Sequence, residues 1–138
     1  MPAERGDRTA RDVTIVIVSL NTRELLAACL RSVMSTTGLE LAVHVVDNGS
    51  TDGSTEMVAR DFPQVQLTRS GSNRGFAAAN NYAIREADSR YVLLLNPDTL
   101  VTERTVGDMV SFMDGHRDVG ICGPESTVPV CHIFPKRS

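Results

Sequence analysis

The sequence predicts an α/β domain built on a mainly parallel sheet flanked by helices. Three observations carry that expectation. The run VTIVIV at residues 13–18 is continuously apolar or β-branched, which suits a strand buried on both faces. Strand-length apolar runs then alternate with stretches of helical periodicity, the pattern of parallel strands joined by crossover helices. The polar loops SLN, DNGSTDGS, SGSNRG and NPDT each follow a predicted strand, so in such a sheet they gather at its carboxyl-terminal end, where ligands bind.

Taken in order, residues 13–18 form the first strand. Asn21 is placed to cap the following helix with Glu24 three residues on, and Leu26, Cys29, Leu30, Val33 and Met34 recur on one helical face until Gly38 closes it. Residues 43–46 read as a second strand, and DNGSTDGS leads into a two-turn helix over 54–60. A third strand is expected over 65–68, followed by SGSNRG and an alanine-rich helix over 76–87. YVLLL, residues 91–95, is the fourth strand. After NPDT come a helix around 102–116 and a fifth short strand over 119–122, ended by Gly123-Pro124. The expected layout is a polar leader over 1–12, one domain over 13–125 and a divergent tail over 126–138.

The 138 residues, 41% hydrophobic and 22% charged, suit a single globular core. A formal net charge of −3 gives no general reason to expect nucleic acid as a partner, although Arg69 and Arg74 can meet a phosphate locally. Cys29, Cys122 and Cys131 form no CxxC pair, which favours free thiols in a reducing compartment. The charged amino terminus has no signal-peptide pattern, and no run of eighteen apolar residues occurs. A cytoplasmic location is expected, with peripheral association at the inner face of the membrane left open.

Asp47 directly follows a buried strand, where its carboxylate can accept hydrogen bonds from a base or ribose; the competing reading is a turn. Asn48-Gly49 is a hairpin signal, but helical periodicity rather than a second alternating strand follows. The segment fails as a calcium loop, because Gly49 and Thr51 stand where oxygen ligands are required. Ser50 and Asp52 can contact ligand or cap the next helix.

In NPDT, Asn96 and Asp98 lie two residues apart and face the same way if the segment is extended. Mg²⁺ or Mn²⁺ often takes only one or two carboxylates from protein and completes its shell with water and a diphosphate, a role that fits Asp98; an ordinary turn is the alternative. Asn73, Arg74, Gly75, Asn80 and Asn81 surround a predicted helix start, which favours an anion, although Asn80 and Asn81 also suit a packing helix. Neither GxGxxG nor GxxxxGK[ST] is present, and no GxSxG occurs. His44, His116 and His132 are scattered and fit structural or surface roles.

In this order, VTIVIVSLNTRELLAACLRSV, VHVVDNGSTDGS, SNRGFAAANN and YVLLLNPDT resemble the donor half of family-two inverting glycosyltransferases, over residues 13–125. The flavour is that of rhamnosyltransferase-like enzymes of cell wall polysaccharide biosynthesis. The resemblance implies a Rossmann-like nucleotide-diphospho-sugar transferase (GT-A) fold. It also implies a UDP- or dTDP-linked sugar as donor, Mg²⁺ or Mn²⁺ as cofactor, and a glycan or lipid-linked acceptor. Carried over, Asn21 opens the nucleotide pocket, Asp47 contacts the base, Asp98 holds the metal and Asn96 is a weaker member of the metal motif, with NPD in place of the commoner DxD. Ser19, Asn48, Ser50, Asn73 and Gly75 complete the expected nucleotide-sugar site.

In full family members the general base comes from an acceptor half well downstream of NPD. No catalytic residue is therefore expected in this chain, which is read as truncated, a weak or inactive transferase alone, and prone to self-association through uncovered apolar surface. Two alternatives stand beside this reading: a non-catalytic nucleotide-binding or interaction module derived from such an enzyme, and a nucleotide-binding protein of flavodoxin or response-regulator type.

Overall fold

The computed structural model describes residues 11–123 and 131–136. Five strands, β1 (Arg11–Ser19), β2 (Leu41–Asp47), β3 (Gln66–Arg69), β4 (Ser89–Leu95) and β5 (Cys131–Pro135), form one sheet in the order β3-β2-β1-β4-β5. The first four are parallel; β5 runs antiparallel to β4, with Cys131 opposite Leu95. The helices are α1 (Arg23–Met34), α2 (Ser54–Asp61), α3 (Phe76–Glu86) and α4 (Thr105–Gly115).

The expected absence of in–out alternation in β1 has a direct structural counterpart. Val13, Ile15 and Ile17 point into one layer with Leu26, Cys29, Leu30 and Val33 of α1, Met57 and Val58 of α2, and Val106, Val110 and Met113 of α4. Val16 points the other way and packs with Val46 and Val92 against Ala79 and Ala83 of α3. The thick layer therefore carries three helices and the thin layer one. Replacing a fully buried residue of the thick layer such as Ile15 or Leu30 by alanine would cost about 2–5 kcal/mol.

Several local expectations are corrected. Asn21 does not cap α1: it sits at φ 51°, Thr22 is the N-cap, and no side chain of the cap residue bonds the helix. Residues 119–122 do not form a strand, since only Cys122 joins the sheet there, through a single antiparallel bridge to Ile133. The fifth strand lies instead at Cys131–Pro135, in the segment set apart as a tail. Its side chains alternate weakly and follow a Pro-Val pair, so the short apolar stretch carries little strand signal of its own. NPDT is not extended either: the Thr99 N–H donates to the Asn96 carbonyl at 3.1 Å, closing a turn with Pro97 at its second position. That turn removes the reason for Asn96 and Asp98 to face the same way.

Two of the histidines have defined structural roles. His44 is 2% exposed on β2, with Nε2 2.8 Å from the Thr68 hydroxyl and its ring edge-on to Tyr82. Nδ1 of His116 lies 2.8 Å from the Phe112 carbonyl, and its ring stacks on Phe112. Cys29 is buried and Cys122 half-buried, neither in a disulfide, and burial pushes the Cys122 thiol up, away from the reactive thiolate. The side chain of Cys131 lies outside the described residues.

Burial lowers the His44 imidazolium pKa below its ordinary 6.5, with the Glu86 carboxylate opposing weakly. The unfolded chain therefore binds more protons than the folded one between 6.5 and the lower folded value. Stability is full above 6.5 and falls as pH drops from there toward the folded value. Urea midpoints measured from pH 7.5 to 5.5 should decline in the wild type and lose that part of their slope in His44→Gln.

Candidate functional site

Because β1 to β4 are parallel, the loops 19–22, 48–53, 70–75 and 96–104 all leave the sheet at one end. The order β3-β2-β1-β4 reverses direction between β1 and β4, and it is at such a switch point that open α/β sheets bind ligands. The loop holding Asn96 and Asp98 stands on one side of the switch and the loops holding Asn21 and Asp47 on the other. A concavity of about 640 Å³ lies at the opposite end among residues such as Thr14, Leu41, His44 and Asp88. Its size does not make it the functional site, because the glycine-rich, polar loops are all at the other end.

Asp47 ends β2, is 3% exposed, and organises the loop after it. Its Oδ2 accepts the N–H groups of Gly49 (3.1 Å) and Ser50 (2.8 Å), and its Oδ1 accepts the Ser50 hydroxyl at 2.5 Å. Of ligand contact and turn, the turn is what these bonds build. Of the roughly four lone-pair sites of a carboxylate they use three, leaving one on Oδ1. The Ser50 oxygen also accepts the Asn21 N–H at 2.8 Å, and Asn21 Oδ1 accepts the Thr51 N–H at 2.8 Å. Asn21, unable to cap α1, instead joins the loops after β1 and β2.

A second set of bonds ties in the loop after β3. The Asn48 N–H donates to the Ser19 carbonyl (2.9 Å), while its side-chain amide reaches the Gly75 carbonyl (3.4 Å). The Ser70 hydroxyl lies within bonding distance of the Asp47 carbonyl, Asn48 Oδ1 and the Ser72 carbonyl. Gly49 sits at φ 101°, a left-handed backbone that favours glycine, and a Cβ there would make an ordinary contact of 3.4 Å with the Ser72 backbone. Asn73 Oδ1 accepts the Gly75 N–H, and Gly75 at φ 87°, ψ 160° enters α3 through a conformation nearly restricted to glycine.

The expected site residues therefore fall into two groups. Ser19, Asp47 and Asn48 are buried beneath the loops, and Ser50 is half-buried among them. Asn21, Asn73, Gly75 and Asp98 are exposed above, with Asn96 half-buried at the start of its turn. Arg69 and Arg74 are exposed as well, whereas Asn80 turns inward and Asn81 outward on α3. The NPDT turn is held to α1 by the Val101 N–H on the Ser32 hydroxyl (3.1 Å) and by the Cys29 thiol, 3.8 Å from the Asn96 carbonyl. Ser70, Thr51 and Ser32 were not expected as loop-organising residues. For Ser70 and Thr51 a serine or threonine beside a glycine-rich loop is the one signal, and it is common; Ser32, inside α1, carries none.

As a metal ligand, Asp98 fits a site in which protein supplies one carboxylate and a diphosphate supplies the rest. Among the described residues no group of three or more His, Cys, Asp or Glu side chains gathers into a protein-only cage.

The fold and the loop cluster together define the class: a Rossmann-like α/β domain whose polar loops gather at the carboxyl end of its parallel strands. The chain belongs to glycosyl transferase family 2, whose model matches residues 14–126. It is 30% identical over 104 residues to the succinoglycan biosynthesis protein ExoO of Rhizobium meliloti, covering 75% of this chain and 30% of that protein. It is 24% identical over 132 residues to the N-acetylglucosaminyl-diphospho-decaprenol L-rhamnosyltransferase of Mycobacterium tuberculosis, covering 88% of this chain and 43% of that one. Among solved structures, the mannosyltransferase PcManGT of Pyrobaculum calidifontis, in complex with GDP-Man and Mn²⁺, superposes with a TM-score of 0.81 at 22% identity, covering 93% of this chain and 45% of that one. Residues 1–349 of S. aureus TarS with UDP-GlcNAc superpose at 0.71 and 23% identity, over 86% and 37% of the two chains. The fold is thus the GT-A fold, and the chain spans less than half the length of each of these relatives.

Ser50→Ala would leave Asp47 Oδ1 and the Asn21 N–H without their shared partner. A loss of about 1–3 kcal/mol in urea unfolding is expected, as for a half-buried polar group stripped of its bond.

Proposed function

We propose that this chain is a glycosyltransferase donor domain that binds a nucleotide-diphosphate sugar together with a divalent metal, for inverting transfer to a cell-surface glycan or lipid-linked acceptor. The observation that carries the reading is the placement of Asp47 and Asp98 in the loops on the two sides of the sheet's switch point, within a family-two chain. Mycobacterial rhamnosyltransferase and TarS likeness, and the GDP-Man and Mn²⁺ named for PcManGT, support a nucleotide sugar and Mg²⁺ or Mn²⁺.

In this reading the open lone pair of Asp47 Oδ1 accepts an N–H from the base, a match for the imide of uracil or thymine. Asn21, Ser19, Asn48 and Ser50 hold that loop against the ribose side, and Asn73 and Gly75 present the start of α3 to the ligand. Asp98 is the residue that would hold the metal, with Asn96 a weaker member of the same motif. A metal bound there neutralises charge that builds on the departing nucleotide. Displacement at the anomeric carbon with inversion also needs a general base for the acceptor hydroxyl, which the family resemblance assigns to an acceptor half.

No helix among the described residues is long and apolar enough to cross a membrane. A cytoplasmic location, peripheral at the inner membrane face, agrees with a lipid-linked acceptor. Leu25 (52%), Phe76 (57%), Leu100 (69%) and Ile121 (56%) are exposed, which supports self-association.

Two measurements test these statements. Calorimetric titration with UDP, dTDP and GDP, each with and without Mn²⁺, should show metal-dependent binding of a pyrimidine diphosphate that weakens at least about tenfold in Asp98→Ala, about 1.4 kcal/mol. Binding indifferent to metal and to Asp98 would favour the non-catalytic module instead. Light scattering at high concentration should report a dimer or larger species, and a monodisperse monomer would remove the self-association reading.

A further inference from the structure

We propose that Asp52 is a positioning residue for the nucleotide site, acting as a clamp that fixes the starts of two helices, and through them Asn21 and Asp47, without touching ligand itself. The inference rests on the donor-binding reading above and names what sets the geometry of that site.

The argument begins with the first turns of α1 and α2. A helix start leaves N–H groups without intrahelical partners, and a side-chain oxygen normally supplied by the residue just before the helix satisfies one of them. Neither helix uses its own cap residue in this way: Thr22 bonds the Ser19 hydroxyl instead, and Gly53 has no side chain. One carboxylate serves both. Asp52 Oδ2 accepts the Arg23 N–H at 3.0 Å, and Oδ1 accepts the Ser54 N–H at 3.0 Å and the Ser54 hydroxyl. Two helices whose starts are 31 residues apart in sequence are thereby fixed to a single planar group.

The position of Asp52 makes this matter for the site. Arg23 lies two residues after Asn21, whose left-handed backbone is held by the Ser50 oxygen and whose Oδ1 accepts the Thr51 N–H. Ser50 in turn donates to Asp47. Asp52 closes this ring of bonds at its far side, so that the loop 19–23 and the loop 47–54 form one unit. Its neighbour is shaped for the same contact: Gly53 is at φ 87°, and a Cβ there would stand 3.2 Å from the Arg23 guanidinium that covers it. The bond from Ser54, followed by the backbone bonds, holds the Asp52 carboxyl below the usual carboxylate range, so both oxygens remain acceptors at neutral pH.

An aspartate has two equivalent oxygens to accept with, whereas an asparagine has one oxygen and a donor in place of the other. Asp52→Asn can therefore cap one helix and must present an N–H to the other. Asp52→Ala caps neither. A purely structural role would lower stability alone; a positioning role moves the loop and the ligand affinity with it.

The test compares wild type, Asp52→Asn, Asp52→Ala and Val110→Ala, the last a cavity variant in α4 remote from the loops. Amide hydrogen exchange by NMR and titration with UDP or dTDP plus Mn²⁺ are read at a temperature where all four are folded. Asp52→Ala should speed exchange at Arg23, Ser54, Asn21 and Thr51 and weaken nucleotide binding about tenfold or more. Asp52→Asn should fall between it and wild type, and Val110→Ala should lose stability with affinity unchanged. Exchange at Asn21 and Thr51 unchanged in Asp52→Ala overturns the clamp whether or not nucleotide binds. Affinity of Asp52→Ala within twofold of wild type, or an equal loss in Val110→Ala, overturns its role in the site. A folded wild type that binds neither nucleotide defeats the donor-binding reading, and the exchange data then judge the clamp by themselves.

Discussion

A strand without a polar face must be covered on both sides, and the structure follows from satisfying that condition for β1. Val13, Ile15 and Ile17 require one layer of helices and Val16 requires another, while β2 and β4 take up the backbone hydrogen bonds on either edge. Helical crossovers that return β1 to β4 in one direction supply that cover on both faces, and strands so connected are parallel. Parallel strands then leave every loop at the same end. The gathering of polar loops is thus a geometric result of the central strand's composition.

That gathering creates an electrostatic problem, which the chain solves with short side chains. Many backbone N–H groups crowd around the start of α1, α2 and the turn after β2, and buried donors are costly to leave unpaired. Asp47 and Asp52 each accept several of them, and Ser50, Asn21 and Ser70 pass bonds between neighbouring loops. The same oxygen-rich chemistry that holds the loops together suits a site for a base, a ribose and a metal-bound diphosphate. In the proposed donor site, support of the loops and recognition by them would draw on one set of residues.

The strands and helices of the thick layer were legible because periodicity and burial agree there, from VTIVIV through the apolar face of α1. The gathering of the polar loops at one end of the sheet was legible too, from loops that follow parallel strands. The bonds within the site were not. Asn21 followed by Glu24 is a local capping pattern, yet the Arg23 N–H at the start of α1 is met by Asp52, a partner 29 residues away that no local pattern can reveal. NPDT reads as extended after an apolar strand, but Pro97 favours the turn that forms. The fifth strand was misplaced to 119–122 because VGIC is apolar, whereas β5 is stabilised by pairing along β4, a tertiary contact.

The two layers differ in how firmly they hold their helices. Five buried residues anchor α1 and four anchor α4, whereas α3 is held by Ala79, Asn80 and Ala83, whose apolar area is small, with Lys136 donating to the Ile84 carbonyl near its end. Free energies of local opening track such burial. The helix that begins with the exposed loop of Asn73 and Gly75 rests on the smallest buried apolar area of the four, and small alanine side chains let its backbone lie close on the sheet.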